Sequence, residues 1–255
     1  MEIISIINQK GGVGKSTTSA AIGSGLVKHG KKVLLIDLDA QGNMSSTFPI
    51  QETTHEHNAY TVITKESDIA DAIQKTPFGD IIPNSPALAT IDIKFANIVA
   101  GKEYQLKEVL SAANLDYDYI IIDTPPALGT LTVNALTASD SIIIPAQADK
   151  FSLQGISQLC LTVQAIRQYS NNKLCIRGIV LTRYNKRAII SREIAGMLSE
   201  EAQKVGTKVY KTMIRECTAI KEAQAVKVSI FDYAPKCNAS LDFESLVKEI
   251  LEEDQ

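Results

Sequence analysis

The run NQKGGVGKST, at residues 8–17, points to a phosphate-binding loop. It ends in G-K-[ST], as such loops do, although Gln9 stands where the common form has its first glycine. A second lysine, Lys10, follows Gln9, so the loop carries lysine on both sides of its glycines. A glycine-rich turn without function is a poor alternative, because K-G-G-x-G-K-[ST] arises by chance in only about 10⁻⁴ of chains this long.

The residue types of this loop predict how it would hold a nucleotide. Glycines let successive backbone N–H groups converge on an anion, and a helix starting at Ser16 adds its positive end. Lys15 would then reach the β and γ oxygens, Ser16 would place a hydroxyl on Mg²⁺, and Thr17 would contact a further phosphate. The nucleotide-binding candidates in the loop are Lys10, Gly11, Gly12, Val13, Gly14, Lys15, Ser16 and Thr17.

Continuous apolar runs alternate with helical patterns along the whole chain. Strands are predicted at residues 3–7, 33–39, 119–123, 141–146 and 176–182. Helices are predicted at residues 16–28, 66–75, 103–113, 130–138, 153–169, 191–204 and 241–252. This order predicts an α/β fold: a doubly wound, mostly parallel β-sheet with helices on both faces, as in P-loop NTPases. With no repeat or linker in residues 1–255, we expect a single domain.

Composition and charge narrow the class of protein. The 255 residues are 45% hydrophobic, enough for a sizeable core, and no apolar run approaches the roughly 20 residues of a membrane span. Without a leader-like N-terminus or paired cysteine motifs, we expect a soluble cytoplasmic protein. The net charge is −3, yet residues 183–236 hold 11 Lys and Arg against 6 Asp and Glu. This basic segment is the candidate nucleic-acid surface.

Three aspartates end predicted strands. Asp37 and Asp39 lie in DLDAQGN, and Asp123 lies in IIIDTPP. Carboxylates at strand ends beside a phosphate loop suit the two needs of phosphoryl transfer, holding Mg²⁺ and orienting the attacking water.

KGGVGKST, DLDAQGN and IIIDTPP together resemble the deviant Walker A ATPases of the ParA/Soj and MinD group. QGN at residues 41–43 and NALTASDSIIIPAQ at residues 134–147 are more similar to ParA/Soj than to MinD. The resemblance covers essentially the whole chain. It implies a SIMIBI-like P-loop sheet of about eight mostly parallel strands.

Roles for the site residues follow from this resemblance. Lys10 matches the lysine that reaches a partner subunit's phosphates, whereas Lys15 serves its own subunit. Asp39 matches the residue that positions the hydrolytic water, and Asp37 is the other acid of that switch segment. Asp123 matches the Walker B acid, so the implied metal site consists of Ser16, Asp39 and Asp123. The implied catalytic residues are Lys10, Lys15, Asp37 and Asp39.

The resemblance also implies contacts in the basic segment. Arg187 matches a DNA-contacting arginine, and Arg183, Lys186 and Lys221 are weaker candidates for which solvated surface charge is the simpler interpretation. In MIRECTAIKEAQ, residues 213–224, Arg215 and Cys217 stand where the family has Pro and Asn around the adenine.

The implied function is a slow, partner-stimulated ATPase that uses ATP and Mg²⁺. It would form a homodimer on ATP, bind DNA non-specifically at the nucleoid, and partition plasmids or chromosomes with a ParB-like protein. An alternative is an ATP-switched adaptor, MinD-like or cluster-positioning, that acts without DNA segregation. A membrane-bound form is disfavoured because residues 242–254 carry six acids and one lysine. The loop begins too near the N-terminus for a preceding helix-turn-helix domain.

Overall fold

The computed structural model describes residues 1–51 and 56–254. For His55 and His57 in THEHN the sequence favours a solvated loop over a metal site, and His55 lies outside the described residues. All six strands belong to one parallel sheet in the order β3-β2-β4-β1-β5-β6. Their bounds are β1 Glu2–Ile6, β2 Val33–Asp37, β3 Asp80–Ile82, β4 Tyr119–Asp123, β5 Ser141–Gln147 and β6 Cys175–Thr182.

Helices connect the strands and follow the last one. Their bounds are α1 Lys15–Lys28, α2 Ala59–Ile63, α3 Ile69–Ala72, α4 Ile91–Lys94, α5 Gln105–Ala112, α6 Thr130–Ala138, α7 Lys150–Tyr169, α8 Ile189–Lys204, α9 Ala219–Ala225, α10 Ile230–Tyr233 and α11 Asn238–Glu253. Short 3₁₀ turns lie at Ser45–Thr47, Pro86–Thr90 and Lys102–Tyr104.

Alternate side chains of each strand point to opposite faces of the sheet. Leu35 and Ile121 point into the cluster formed with α1 and α9–α11, whereas Ile36 and Ile122 pack with α2, α5 and α6. The β5–β6 half of this second face is covered by α7 and α8. Because both faces are covered, the strands are apolar throughout, and the predicted doubly wound α/β fold is confirmed.

The position of β1 explains where ligands would bind. β1 lies between β4 and β5, and the chain winds from it towards both edges of the sheet. In such a sheet, a crevice opens beyond the carboxyl ends of the strands where the winding reverses. The loop after β1 occupies this place.

The C-terminal helix α11 packs on the core through an apolar stripe, as the sequence of Phe243, Val247, Ile250 and Leu251 predicts. Phe243, Val247 and Ile250 are at most 1% exposed. Among the described residues, no helix is long and apolar enough to cross a membrane.

Two predictions need correction. The helix predicted at residues 66–75 is confined to Ile69–Ala72, because Asp68 caps it late and Gln74 already pairs with Ile81 of β3. The described residues form six strands rather than about eight. Beyond β6, the residues that the structure describes make only isolated parallel bridges, Val209 with Ile179 and Arg215 with Tyr184.

Candidate functional site

The phosphate loop joins β1 to α1 at the carboxyl edge of the sheet. Gly12 and Gly14 adopt φ values of 73° and 91°, in the left-handed region that glycine tolerates best. An added Cβ at Gly11 or Gly12 would meet no atom within 4 Å, so this stretch of backbone borders open space. The first turn of α1 follows directly, which leaves its N–H groups available to an anion.

Hydrogen bonds to the neighbouring strands β5 and β6 anchor the loop. The buried Asn8 donates from Nδ2 to the carbonyl oxygen of Pro145 at 2.7 Å and accepts the Lys10 N–H at Oδ1 at 2.9 Å. Thr182, at the end of β6, donates from its hydroxyl to the carbonyl oxygen of Val13 at 2.7 Å. Hydrogen bonds within the chain therefore fix the shape of the loop.

Lys15 lies inside the site and is only 7% exposed. Burial lowers the pKa of its amino group, and the charges of Asp123 and Asp39 oppose that shift. A buried cation among carboxylates at the mouth of a phosphate loop is suited to an anionic oxygen.

Asp123 is fully buried at the end of β4. Its Oδ1 accepts the Ser19 hydroxyl at 2.9 Å, whereas its Oδ2 has no hydrogen-bond partner in the described part of the chain. Burial and the neighbouring charge of Asp37 raise the pKa of Asp123, and the hydroxyls of Ser16 and Ser19 oppose the shift. A buried carboxylate oxygen without a partner, close to the Ser16 hydroxyl, fits a Mg²⁺ site.

Asp37 is the register neighbour of Asp123 on β2 and is also fully buried. Its Oδ1 accepts the Asp39 N–H at 3.1 Å, and its Oδ2 accepts the N–H and the hydroxyl of Ser45 at 2.8 and 2.6 Å. Burial raises the pKa of this carboxyl group as well. Both oxygens are engaged by the 39–45 loop, so Asp37 shapes that loop and supports Asp39.

Asp39 lines the cleft over the phosphate loop together with Gly12, Ser16 and Thr17. Its Oδ1 accepts the Gln41 N–H at 3.0 Å. This location suits the predicted role of orienting a water molecule.

The described residues contain no group of three or more His, Cys, Asp and Glu side chains that could hold a metal by themselves. Magnesium in phosphate sites is bound through few protein ligands plus phosphate and water, so the small donor set of Ser16, Asp123 and Asp39 fits it. When bound, the ion would neutralise charge that develops on the phosphate oxygens.

Lys10 has a different environment from Lys15. Its ammonium group forms an ion pair with Asp149, the residue that caps α7, and the two side chains are 35% and 32% exposed. Burial alone would raise the pKa of Asp149, but hydrogen bonds from Lys10 and Ser152 bring it below its usual range. Among the described residues, the cleft is lined by Lys15 and not by Lys10.

A second pocket adjoins the phosphate loop on the side of α11. We call it the base-side pocket; its wall includes Val13, Gly14, Thr17, Ile214, Arg215 and Cys217. The two residues predicted to frame the adenine thus lie together beside the loop. Arg215 is held by Asp242 of α11, with Nε and Nη2 donating at 2.9 and 2.6 Å.

The candidate DNA contacts fall into two groups. Lys186 and Arg187 are exposed in the connection from β6 to α8, facing solvent. Arg183, with φ of 49°, and Lys221 instead line the nucleotide cleft. This second pair is therefore placed to contact a nucleotide as well.

Sequence reasoning missed several polar residues at the site. Ser19 follows Lys15 by one helical turn, and this spacing could have revealed its place beside Asp123. Asp149 follows the end of β5, as Asp39 follows β2, and the same strand-end argument applies to it. Ser45 and Gln224, which donates to the Thr17 hydroxyl at 3.1 Å, have no such local signal.

Comparisons with known proteins agree with this geometry. The model of a family described as AAA domain matches residues 1–176. Sporulation initiation inhibitor protein Soj of Bacillus subtilis strain 168 is 39% identical over 251 residues, which are 98% of each chain. Chromosome partitioning protein ParA of Caulobacter vibrioides strain NA1000 / CB15N is 37% identical over 255 residues, covering 98% of this chain and 94% of that protein.

One solved structure adds a view of the fold with ligands. Cobyrinic acid a,c-diamide synthase of Mycobacterium smegmatis, with bound ATP analog and magnesium, superposes with a TM-score of 0.87 at 28% identity. The match covers 100% of this chain and 96% of that one. Fold and site thus define a P-loop nucleotide-binding protein with an AAA domain. Within that class, the chain belongs to the ParA/Soj family of partitioning ATPases.

Proposed function

We propose that the protein is an ATP-driven dimerisation switch that binds DNA non-specifically and partitions a plasmid or chromosome. In this scheme ATP and Mg²⁺ occupy the cleft, and the ATP-bound form is a homodimer. A ParB-like partner accelerates slow hydrolysis, which returns the subunits to monomers. The single observation that carries the proposal is the contrast between the two lysines of the phosphate loop.

Lys15 and Lys10 are placed for different phosphates. Lys15 is buried beside Asp123 and Asp39, where it would serve a nucleotide in its own subunit. Lys10 lies at the rim, with its ammonium on Asp149 and about a third of its side chain exposed. A phosphate presented by a second subunit would compete with Asp149 for this ammonium. A positive group supplied in trans is worth roughly 10³–10⁵ in phosphoryl-transfer rate, so hydrolysis would depend on assembly.

The catalytic steps within one subunit rest on groups already in place. Asp39 would orient the attacking water at the mouth of the cleft. Asp123 and Ser16 would hold the metal, and the loop N–H groups with Lys15 would bind the phosphates.

DNA binding would use the exposed Arg187 and Lys186 in the connection just before α8. Two subunits joined through their phosphate loops would present two such patches, which accounts for a dependence of DNA binding on ATP. Contacts of this kind are to phosphates, so affinity should fall steeply with salt and be indifferent to DNA sequence.

The test is DNA co-sedimentation with ATP, ADP or no nucleotide, for wild type, Lys10→Ala and Arg187→Ala. Lys173→Ala is the matched control, since Lys173 is exposed outside the basic segment. We expect ATP-dependent binding in wild type and Lys173→Ala, and loss of binding in the other two. Light scattering should show that Arg187→Ala still dimerises with ATP and that Lys10→Ala does not.

Two outcomes would count against the proposal. Equal DNA binding with and without ATP would contradict the switch. ATP-dependent dimerisation without DNA binding, and without stimulation of ATPase by DNA and partner, would favour the adaptor that positions another cargo. The buried apolar face of α11 gives a membrane-targeted adaptor no support.

A further inference from the structure

One wall of the base-side pocket is formed by Arg215, whose position is fixed by Asp242, a residue that does not line the pocket. Arg215, on that wall, makes three hydrogen bonds to Asp242: its N–H and its Nε donate to Oδ2 at 3.0 and 2.9 Å, and its Nη2 donates to Oδ1 at 2.6 Å. Two guanidinium nitrogens bound to two carboxylate oxygens fix the plane of the group. The Arg215 side chain nevertheless remains 44% exposed.

The pocket and the phosphate cleft are continuous. Gly14, Thr17, Arg183, Lys221 and Gln224 line both of them. A nucleotide with its phosphates on the loop would therefore extend its ribose and base into the pocket. The remaining wall is largely apolar, with Val13, Ile214 and Phe243, as the face of a base requires.

We propose that Asp242 is a positioning residue that holds the Arg215 guanidinium flat as a stacking wall for the purine of the bound nucleotide. This inference rests on the proposed function, because it assumes a nucleotide in the cleft. A planar guanidinium stacks on aromatic rings, and the two bonds to Asp242 leave its face available for such a contact. Asp242 itself takes no part in the contact.

The same helix provides a matched control. Glu249 of α11 accepts the N–H groups of Lys211 and Thr212 at 3.1 and 2.8 Å, and so fastens the same segment a few residues earlier. Glu249 does not line the base-side pocket in the described residues. If Asp242 acted only by attaching this segment to α11, removing the carboxylate of Glu249 would weaken nucleotide binding as much as removing that of Asp242.

The test compares Mg·ADP with Mg·pyrophosphate by isothermal titration calorimetry, since pyrophosphate occupies the phosphate loop without a base. In Asp242→Asn, we expect ADP binding to weaken about tenfold, within the range of one stacked base, with pyrophosphate binding unchanged. Arg215→Lys keeps the charge but loses the plane, and should show the same selective loss. Glu249→Gln should bind both ligands as wild type does.

The outcomes separate this inference from the proposed function. If wild type binds neither ligand, the proposed function fails. If wild type binds pyrophosphate as tightly as ADP, no base contact exists and the inference alone is overturned. It is also overturned if Asp242→Asn binds ADP normally, if it loses both ligands together, or if Glu249→Gln shows the same selective loss.

Discussion

The two edges of the sheet carry different charges. At the amino edge, where β1 and β6 begin, the buried guanidinium of Arg177 forms ion pairs with Glu2, Glu253 and Asp254. At the carboxyl edge, where β2 and β4 end, the buried Asp37 and Asp123 lie side by side. Arg177 is 8% exposed, and its Nη2 also donates to the carbonyl oxygen of Ile250 at 2.7 Å. The acids around it neutralise its charge. The amino edge is thus electrostatically complete within the chain.

The carboxyl edge differs because its charges need a ligand. Asp37 is satisfied by the 39–45 loop, but Asp123 keeps one buried oxygen without a partner in the described residues. A buried charge is costly unless it is paired or bound to a metal. The two edges therefore have different roles. The charges at the amino edge stabilise the fold, whereas those at the carboxyl edge lower its stability and are suited to bind a cation and phosphate.

The largest expected effect tests the amino edge. Arg177→Met leaves three carboxylates without their shared cation, and we expect the free energy of unfolding to fall by about 3 kcal/mol. Urea denaturation monitored by circular dichroism would measure it.

Two further measurements on this edge sharpen the result. Arg177→Lys keeps the charge with fewer donors, so its loss of stability should be smaller. Mg·ADP affinity of folded Arg177→Met should equal that of wild type. If Arg177→Met is folded but fails to bind Mg·ADP, the two edges are not independent.

At the carboxyl edge the sign of the effect reverses. Asp123→Asn replaces a carboxyl group that burial and Asp37 disfavour with a neutral amide, so the nucleotide-free protein should gain about 2 kcal/mol of stability at neutral pH. ATP hydrolysis should fall at least about a hundredfold, because a phosphate-bound metal supplies several kcal/mol of transition-state stabilisation. Thermal unfolding without nucleotide and steady-state ATPase assays would measure the two effects. A destabilised Asp123→Asn would contradict the comparison.

A further test of the carboxyl edge is the dependence of stability on pH. Because the pKa of Asp123 is raised in the folded protein, the native state binds more protons than the unfolded state between about pH 4 and the raised pKa. Stability of the nucleotide-free protein should therefore fall as the pH rises through that window. Asp123→Asn should show a flatter profile in denaturation series at several pH values, and identical profiles would argue against a raised pKa.

Local sequence was a sufficient guide to the phosphate loop and the acids. Gly12, Gly14, Lys15 and Ser16 are contiguous, and their spacing specifies loop and helix start together. Asp39 and Asp123 could be placed because parallel strands bring their carboxyl ends to one edge. The AAA domain match and the Soj and ParA relatives confirm the family indicated by these motifs.

The predictions that needed correction depend on partners distant in sequence. β3 is three residues long and exists because β2 offers it an open edge, which no local periodicity reveals. It also ends the region predicted as helix, by pairing Ile81 with Gln74.

The sequence alone determined the phosphate loop and the family motifs, because each motif consists of residues close together in the chain. Phosphate binding uses backbone groups of neighbouring residues, so it can be predicted from a short stretch of sequence. Tertiary structure was needed for every contact that spans the chain: Lys10 with Asp149, Asp37 with Ser45, and Arg215 with Asp242. These pairs determine which charges are satisfied and which remain for a ligand. Burial and pairing depend on how the sheet packs. Only the tertiary structure could therefore distinguish the amino edge, where charges are paired, from the carboxyl edge, where a ligand can bind.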